Sequence, residues 1–211
     1  KFRSKVEILN LSNEFVVAVL SREKFLTLEN SKDVLGYTTK FREDPIYLDP
    51  RHKDLGARLI TNLEKLHLSL KLLELKSSNL DEYYSVSNKL GIPQINTDKL
   101  QNNLFGIECN LNELNGIDFK KGCYVGQENT ARIKLKDKLS KRLFPVEVIE
   151  GDLSKDNIIH HENTELGKVL INNKFPFAIV KFKDKNFKFE KIFKCGSASV
   201  KIKKPYWFKF D

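Results

Sequence analysis

The sequence is poor in the residue patterns that mark secreted, membrane-spanning and metal-binding proteins. Its 211 residues include no methionine and only three cysteines, Cys109, Cys123 and Cys195. An odd number of widely spaced cysteines forms neither a disulfide framework nor a CxxC-type metal site, so we expect a reducing, cytoplasmic setting. No run of about 18 apolar residues is present that would span a bilayer. The adjacent pair His160 and His161 has no other ligands at suitable spacing, so no metal site is predicted.

Positive charge is in excess. The net charge is +9, from 30 lysines and 7 arginines against 28 acidic residues. Such a charge favours an anionic partner, which includes nucleic acid, a polyglutamylated folate tail or an acidic protein. The sequence shows no stacking-plus-arginine motif of an RNA-binding module. A solvated basic surface is therefore the favoured interpretation, and direct contact with nucleic acid is not expected.

Mixed strand and helix patterns in the first 140 residues predict an α+β fold. Strands are predicted at 46–49 and 57–60, and a hairpin is predicted from 5–9 and 15–20. The leucines of 59–75 fit a helix stripe better than an alternating strand. A second helix is predicted from the N-cap candidate Asn79 to the stop signal Gly91.

The pattern changes at Arg142 to short β runs separated by turns. These runs cover residues 143–148, 167–171, 177–182 and 199–202. Regular strand spacing of this kind predicts a small antiparallel β-barrel. The lysine-rich stretch 182–194 is interpreted as a solvated hairpin. We therefore divide the chain into domains 1–140 and 141–211.

One octapeptide, residues 121–128, has the features of a reactive site: Lys121, Gly122, Cys123, Tyr124, Val125, Gly126, Gln127 and Glu128. Its glycines permit a tight turn, and a short helix is predicted at 127–132. A helix N-terminus and nearby cations favour a thiolate, which makes Cys123 a candidate nucleophile, redox group or transient metal ligand. Glu128 is expected to hydrogen-bond back onto the turn. By local physics alone, a buried cysteine in a glycine turn is the preferred alternative.

The octapeptide resembles the signature of the YgfZ family, relatives of the glycine-cleavage T-protein within the wider YgfZ/GcvT group. Further segments resemble that family in the same order along the chain: Asp49-Pro50-Arg51, Leu55-Gly56-Ala57-Arg58, Leu90-Gly91-Ile92-Pro93 and Asn110-Leu111. The resemblance extends from about residue 4 to the C-terminal strands. It implies a multi-subdomain α+β fold that ends in a small antiparallel barrel. It also implies that an N-terminal part of the first domain is missing from this chain.

The functional implications come from the resemblance. The chain would belong to a tetrahydrofolate-binding accessory protein for iron–sulfur cluster assembly or repair. Its partners would be iron–sulfur proteins or assembly factors. Enzymes that modify tRNA are among the candidate clients. Cys123 would be the functional thiol, and the other signature residues would form the turn around it.

Three residues are candidates for folate binding under this resemblance. Tyr83 occupies the place of an aromatic folate contact, although ordinary helix packing is the alternative. Arg51 and Arg58 would clamp a carboxylate or phosphate, or else form an internal salt bridge with Asp49 or a glutamate. Lys89 stands where T-proteins carry an acidic pterin contact.

Two further function classes remain open. A tetrahydrofolate-dependent aminomethyltransferase of the T-protein type is the second hypothesis, although Lys89 and Cys123 both depart from that type. A basic nucleic-acid-binding module is the third. Whether the protein catalyses a reaction is left open.

Overall fold

The computed structural model describes residues 5–122, 128, 130–132, 139–153 and 157–209. The chain divides into two compact units, residues 1–79 and residues 80–211. Both strands and helices are present, which confirms the α+β class. Within the described ranges, no helix combines the length and the apolar character needed to cross a bilayer.

The first unit is a four-stranded antiparallel sheet with short helices. Its elements are β1 (Val16–Leu20), α1 (Arg22–Leu26), β2 (Thr38–Phe41), β3 (Asp44–Leu48), a 3-10 helix (Lys53–Leu55), β4 (Ala57–Thr61) and α2 (Leu63–Leu72). The strands lie in the order β1-β4-β3-β2. One sheet face packs on α1 and forms a core of Phe25, Ile46, Leu48, Ala57 and Leu59.

A buried carboxylate joins helix α2 to this sheet. Asp44, 8% exposed, accepts the Thr61 hydroxyl at 2.5 Å and the Lys65 ammonium at 2.9 Å. The bonds from Thr61 and Lys65 lower the pKa of Asp44. Asn62 caps the helix, because its Oδ1 accepts the Lys65 N–H at 2.8 Å. Lys65 in the first turn of α2 is therefore bonded both by Asp44 of the sheet and by the capping residue Asn62.

The predicted strands 46–49 and 57–60 are confirmed as β3 and β4, whereas the predicted hairpin is wrong. β1 pairs with β4, with Val16 opposite Thr61, and residues 5–9 form no strand. Ile8 is 91% exposed. An alternating apolar sequence forms a strand only when a neighbouring strand pairs with it. Here β1 pairs with β4 instead of with residues 5–9. The predicted leucine-rich helix forms but starts later, at Leu63, because residues 59–61 belong to β4.

Strand β2 had no signal in the sequence because its turn has unusual chemistry. Phe41 pairs with Asp44, so Arg42 and Glu43 alone make the turn, with φ of 52° and 67°. Two left-handed residues are required by the type I′ hairpin turn, in which Asn-Gly is the usual pair.

The second unit contains a closed six-stranded antiparallel barrel. Its elements are α3 (Leu80–Lys89), a 3-10 helix (Thr97–Leu100), β5 (Arg142–Glu150), β6 (Ile158–His161), β7 (Thr164–Ile171), β8 (Phe177–Val180), β9 (Ile192–Cys195) and β10 (Ala198–Ile202). Around the barrel the order is β10-β5-β8-β7-β6-β9. The predicted barrel is confirmed. The multi-subdomain architecture and the boundary at residue 140 stay predictions, and the first barrel strand starts at Arg142.

Phenylalanines from the lysine-rich stretch fill the barrel core, so the solvated-hairpin interpretation is wrong. Phe187 is 7% exposed and stacks on Phe193 with ring centroids 5.6 Å apart. Phe189 meets Phe144 edge to face at 5.1 Å. The stretch ends in β9, which lies between β6 and β10. Burial of these rings outweighs the surrounding charge, because lysines can extend their charged ends into water. The adjacent pair His160 and His161 lies in β6.

Helix α3 ends as predicted at Gly91, which has a φ of +71°. The Gly91 N–H donates to Asn88 O at 2.8 Å and the Ile92 N–H donates to Ser87 O at 2.9 Å, the pattern of a Schellman motif. Trp207 Nε1 donates to Leu90 O at 2.9 Å. The C-terminal segment therefore holds the Leu90–Pro93 turn in place.

Substitution of Gly56 is expected to destabilise the first unit strongly. Gly56 follows the 3-10 helix with φ 74° and ψ −157°, and an added Cβ would lie 2.1 Å from Leu20 O. Gly56→Ala should lower the free energy of unfolding by about 2–4 kcal/mol, because both the backbone conformation and the contact are unfavourable. Urea denaturation measures the loss. Gly122→Ala is the matched control, since a Cβ there meets nothing within 4 Å. Equal stability of the two variants would contradict this account.

Candidate functional site

The predicted functional thiol, Cys123, lies outside the described residues, as do Tyr124, Gly126 and Gln127. Their roles stay predictions. The described members of the signature are Lys121, Gly122 and Glu128, and all three are exposed. The site is therefore characterised by what holds the signature on each side.

Both flanks of the signature pack on the barrel core. Ile117 and Phe119 precede it and lie against the core cluster, and Leu139 follows it at 8% exposure within that cluster. Between Phe119 and Cys123 the chain reaches the surface, because Lys121 and Gly122 are exposed. Lys121 and Gly122, which precede Cys123, therefore face solvent, and the described chain on either side is anchored by apolar burial.

The segment before the signature is fixed to the first barrel strand by Asn110. This side chain is fully buried, and its Nδ2 donates to Leu143 O at 2.8 Å. The Leu143 N–H donates to Glu108 O at 2.9 Å. Both backbone groups of Leu143 are thus bonded by residues 108–110. Asn110 adopts φ 62°, a conformation that asparagine tolerates better than most residues.

Arg142 completes this anchor. Its Nη1 donates to Asn110 Oδ1 at 2.9 Å, and its Nη2 lies 2.6 Å from Glu113 Oε1. The Arg142 side chain is 13% exposed, and its guanidinium carbon lies 5.8 Å from the Phe182 ring centroid and 5.3 Å from that of Phe208. A charge so enclosed requires its partners, so the arginine, the amide and the carboxylate form one unit. Arg142 and Glu113 carried no sequence signal, because the contact joins positions far apart in the chain.

A short helix is predicted at 127–132. The residues of this stretch that the structure describes, Glu128 and 130–132, are helical. Glu128 Oε1 lies 3.2 Å from Arg132 Nη2, with the side chains 85% and 60% exposed. Exposed i,i+4 pairs of this kind add only about 0.3–0.5 kcal/mol. This ion pair is the contact observed for Glu128, whose predicted bond onto the turn concerns residues that are not described.

The other two cysteines lie in apolar surroundings. Cys109 packs beside Leu100 and Leu143, and burial together with the charge of Glu108 raises the pKa of its thiol to about 11. Cys195 is fully buried in the barrel core. Cys109 is therefore a protonated thiol at neutral pH, which is a poor nucleophile and a poor metal ligand.

Arg51 and Arg58 converge on Asp49. Arg51 Nη2 and Arg58 Nε each lie 2.8 Å from Asp49 Oδ2, and the carboxylate side chain is 1% exposed. Burial alone would raise the pKa of Asp49, but the hydrogen bonds from Arg51 and Arg58 lower it overall. The internal ion pair is thus observed. A folate carboxylate would have to compete with Asp49 for the two arginines.

Tyr83 lies half-buried on α3, beside a second tyrosine. Its ring centroid is 6.0 Å from that of Tyr84, and its hydroxyl accepts Gln94 Nε2 at 3.1 Å. The ring has the partial exposure that stacking on a pterin requires, so Tyr83 fits the proposed cofactor better than the two arginines do. Over the ranges that the structure describes, no group of three His, Cys, Asp or Glu side chains is placed to hold a metal ion.

Curated relatives of the chain are iron–sulfur cluster assembly factors. It is 30% identical over 160 residues to "Iron-sulfur cluster assembly factor IBA57 homolog, mitochondrial" of Dictyostelium discoideum, which covers 75% of this chain and 39% of the relative. The corresponding mouse protein is 36% identical over 110 residues, or 52% of this chain and 30% of the relative. The human protein is 35% identical over 102 residues, which cover 48% of this chain and 28% of the relative. No family model matches.

These relatives support the YgfZ/GcvT-like family indicated by the motifs, without singling out YgfZ itself. The chain spans less than two-fifths of the length of the relatives compared above, 39% at most. The expected cytoplasmic location is wrong, because the relatives are named as mitochondrial proteins. Reduced, widely spaced cysteines indicate a reducing compartment and do not distinguish one such compartment from another.

Neutralising Asp49 is expected to destabilise the fold in a pH-dependent way. Asp49→Asn should lower the free energy of unfolding by about 2–4 kcal/mol at pH 7, since it leaves two partly buried arginines without their counter-charge. The pKa of Asp49 is lowered in the fold, so its contribution is present above the usual value of about 4 and is lost as pH falls through the lowered pKa. The difference from the parent protein should therefore shrink in acid.

Urea unfolding at several pH values measures this effect. Asp33→Asn is the control, because Asp33 forms an exposed ion pair with Arg22 and should change stability little. A difference that stays constant down to about pH 2 would show that the Asp49 charge is not responsible.

Replacing Arg142 is expected to loosen the segment before the signature. Arg142→Lys should cost about 2–3 kcal/mol, because an ammonium group cannot reproduce the two-sided contact with Asn110 and Glu113. Amide hydrogen exchange should show faster exchange at the Leu143 N–H, which bonds to Glu108 O. Arg132→Lys, in an exposed pair, should cost no more than about 0.5 kcal/mol. Unchanged exchange at Leu143 would contradict the assigned role.

Proposed function

We propose that this chain belongs to a folate-binding accessory protein that assists the assembly or repair of iron–sulfur clusters, with Cys123 as its functional thiol. The observation that carries the proposal is the exposed, barrel-anchored stretch Lys121–Gly122, which leads directly into Cys123 within a signature typical of the family. The names of the relatives supply the cargo, an iron–sulfur cluster, and point to the mitochondrion as the setting.

Cys123 would act as a thiolate ligand to cluster iron during transfer or repair. Thiolates are the preferred protein ligands of iron–sulfur clusters, and they must be ionised to bind. Lys121 lies two residues before Cys123 in an exposed position and adds positive charge nearby. The described residues supply a contrast in Cys109, whose raised pKa keeps it protonated. The chemistry is therefore assigned to Cys123 and not to Cys109.

Tetrahydrofolate is the proposed cofactor, and Tyr83 is its proposed contact in this chain. The tyrosine would stack on the pterin, while Gln94 fixes the orientation of its hydroxyl. Arg51 and Arg58 are less suited to this role, because both already donate hydrogen bonds to the buried Asp49 carboxylate. The proposed partners are iron–sulfur proteins or assembly factors, with tRNA-modifying iron–sulfur enzymes as candidate clients.

The test is a rescue experiment with matched cysteine variants of the complete natural protein. In cells that lack the protein, Cys123→Ala should fail to restore the activity of a cluster-dependent enzyme, because the iron ligand is gone. Cys109→Ala should restore most of it, since Cys109 is a half-buried, protonated thiol. Immunoblots check that both variants accumulate to the parent level. Full rescue by Cys123→Ala would remove this thiol from the mechanism.

Direct assays on the same protein separate the accessory role from the transferase alternative. Tetrahydrofolate binding without formation of methylenetetrahydrofolate from an aminomethylated lipoyl partner supports the accessory role. Turnover in that assay would favour an aminomethyltransferase.

A further inference from the structure

Most of the excess positive charge of the chain lies in one short segment. Residues 181–204 contain nine lysines, no arginine and two acidic residues, a net charge of +7 out of the total of +9. The segment runs from the end of β8 through the connecting loop and the β9–β10 pair. An average spread over 211 residues would place about one unit of charge there. Charge concentrated to this degree produces a strong local field.

Two exposed lysines of this segment lie over aromatic rings of the barrel. Lys204 Nζ lies 5.7 Å from the ring centroid of Phe189, and Lys183 Nζ lies 5.9 Å from that of Phe182. Both rings pack against Phe208, at 5.9 Å and 5.8 Å. Lys183 and Lys204 therefore lie beside the same aromatic cluster, and Lys188 immediately precedes Phe189 in the chain.

The barrel neutralises only part of this charge. Lys203 pairs with Glu147 at 3.0 Å and Lys181 with Glu165 at 3.8 Å. Three exposed lysines of the segment form neither an ion pair nor a side-chain hydrogen bond within the described portion of the chain, and we call them the basic surface: Lys185, Lys188 and Lys204. Uncompensated like charges repel one another, so an acidic partner would relieve a cost that the isolated protein bears.

We propose that the basic surface binds an acidic protein surface. Nucleic acid fits the same charge less well, because recognition of phosphates favours arginine, and the segment contains none. Binding of single strands also requires exposed aromatic faces for base stacking. Three of the four phenylalanines of the segment are enclosed in the core instead: Phe182 is 5% exposed, Phe187 7% and Phe193 1%, while Phe189 is half-buried. A surface of lysines without arginine is therefore better suited to the carboxylates of an acidic protein, which long-range electrostatic attraction would bring to it.

The basic surface contains neither Cys123 nor a proposed folate contact, so its role does not depend on the proposed function. This proposal goes beyond that function by assigning a docking face and the chemistry of the partner. Its test measures binding directly, so its failure would leave the cluster hypothesis standing.

The test compares two triple variants with the same change in net charge. Lys185→Glu, Lys188→Glu and Lys204→Glu together remove the basic surface. Lys5→Glu, Lys71→Glu and Lys76→Glu change three exposed lysines of the first unit and serve as the control. The probes are a short fluorescein-labelled oligoglutamate and a single-stranded oligouridine of equal length, with binding followed by fluorescence anisotropy at rising salt.

The basic-surface variant should bind oligoglutamate roughly tenfold more weakly than the parent, and the control variant within roughly twofold. A version with glutamine at the three positions should show a smaller loss in the same direction, and thermal unfolding verifies that each variant is folded. If the control variant weakened oligoglutamate binding equally, the net charge alone would explain the loss, and the proposal would be overturned. Tighter binding of oligouridine than oligoglutamate, lost on removing the basic surface, would overturn it in favour of nucleic acid.

Discussion

Arg142 stands at the point where the barrel meets the segment that leads to the signature. Its guanidinium contacts Asn110 and Glu113, while Asn110 bonds the backbone of the next barrel residue, Leu143. A charge that is 13% exposed loses most of its hydration, and only charged or strongly polar partners offset that loss. The arrangement therefore allows little movement of residues 108–113 against β5. This constraint holds part of the segment that leads to the signature against the barrel.

Two of the three cysteines lie in apolar surroundings. Cys109 is held among leucines, and its pKa is raised to about 11, while Cys195 is enclosed in the barrel. The neighbours of Cys123 on its N-terminal side are exposed, and the flanks of its segment are buried. Sulfur chemistry depends on ionisation and access, so the surroundings of Cys109 and Cys195 disfavour a chemical role for these two thiols. The proposed role of Cys123 rests on this contrast.

Several elements were predictable because local patterns carry them. Strands β3 and β4, helix α3 with its stop at Gly91, and the barrel strands near 143–148 and 167–171 follow from alternation, capping and glycine punctuation. Strands β2 and β9 were missed: β2 because Arg42 and Glu43 form a left-handed turn against their preferences, and β9 because it is surrounded by lysines. The hairpin at 5–9 failed because β4 took its place as the partner of β1.

The sequence by itself determined the α+β class, the C-terminal barrel, the signature around Cys123 and the resemblance to an iron–sulfur assembly family. Each of these depends on residues close together in the chain, whose spacing records their conformation or chemistry. Tertiary structure alone decided that Arg51 and Arg58 share Asp49, that Arg142 binds Asn110, and that Lys183 and Lys204 lie over rings of the barrel. Those contacts join distant or differently facing side chains, and burial sets their energies, which no local pattern encodes.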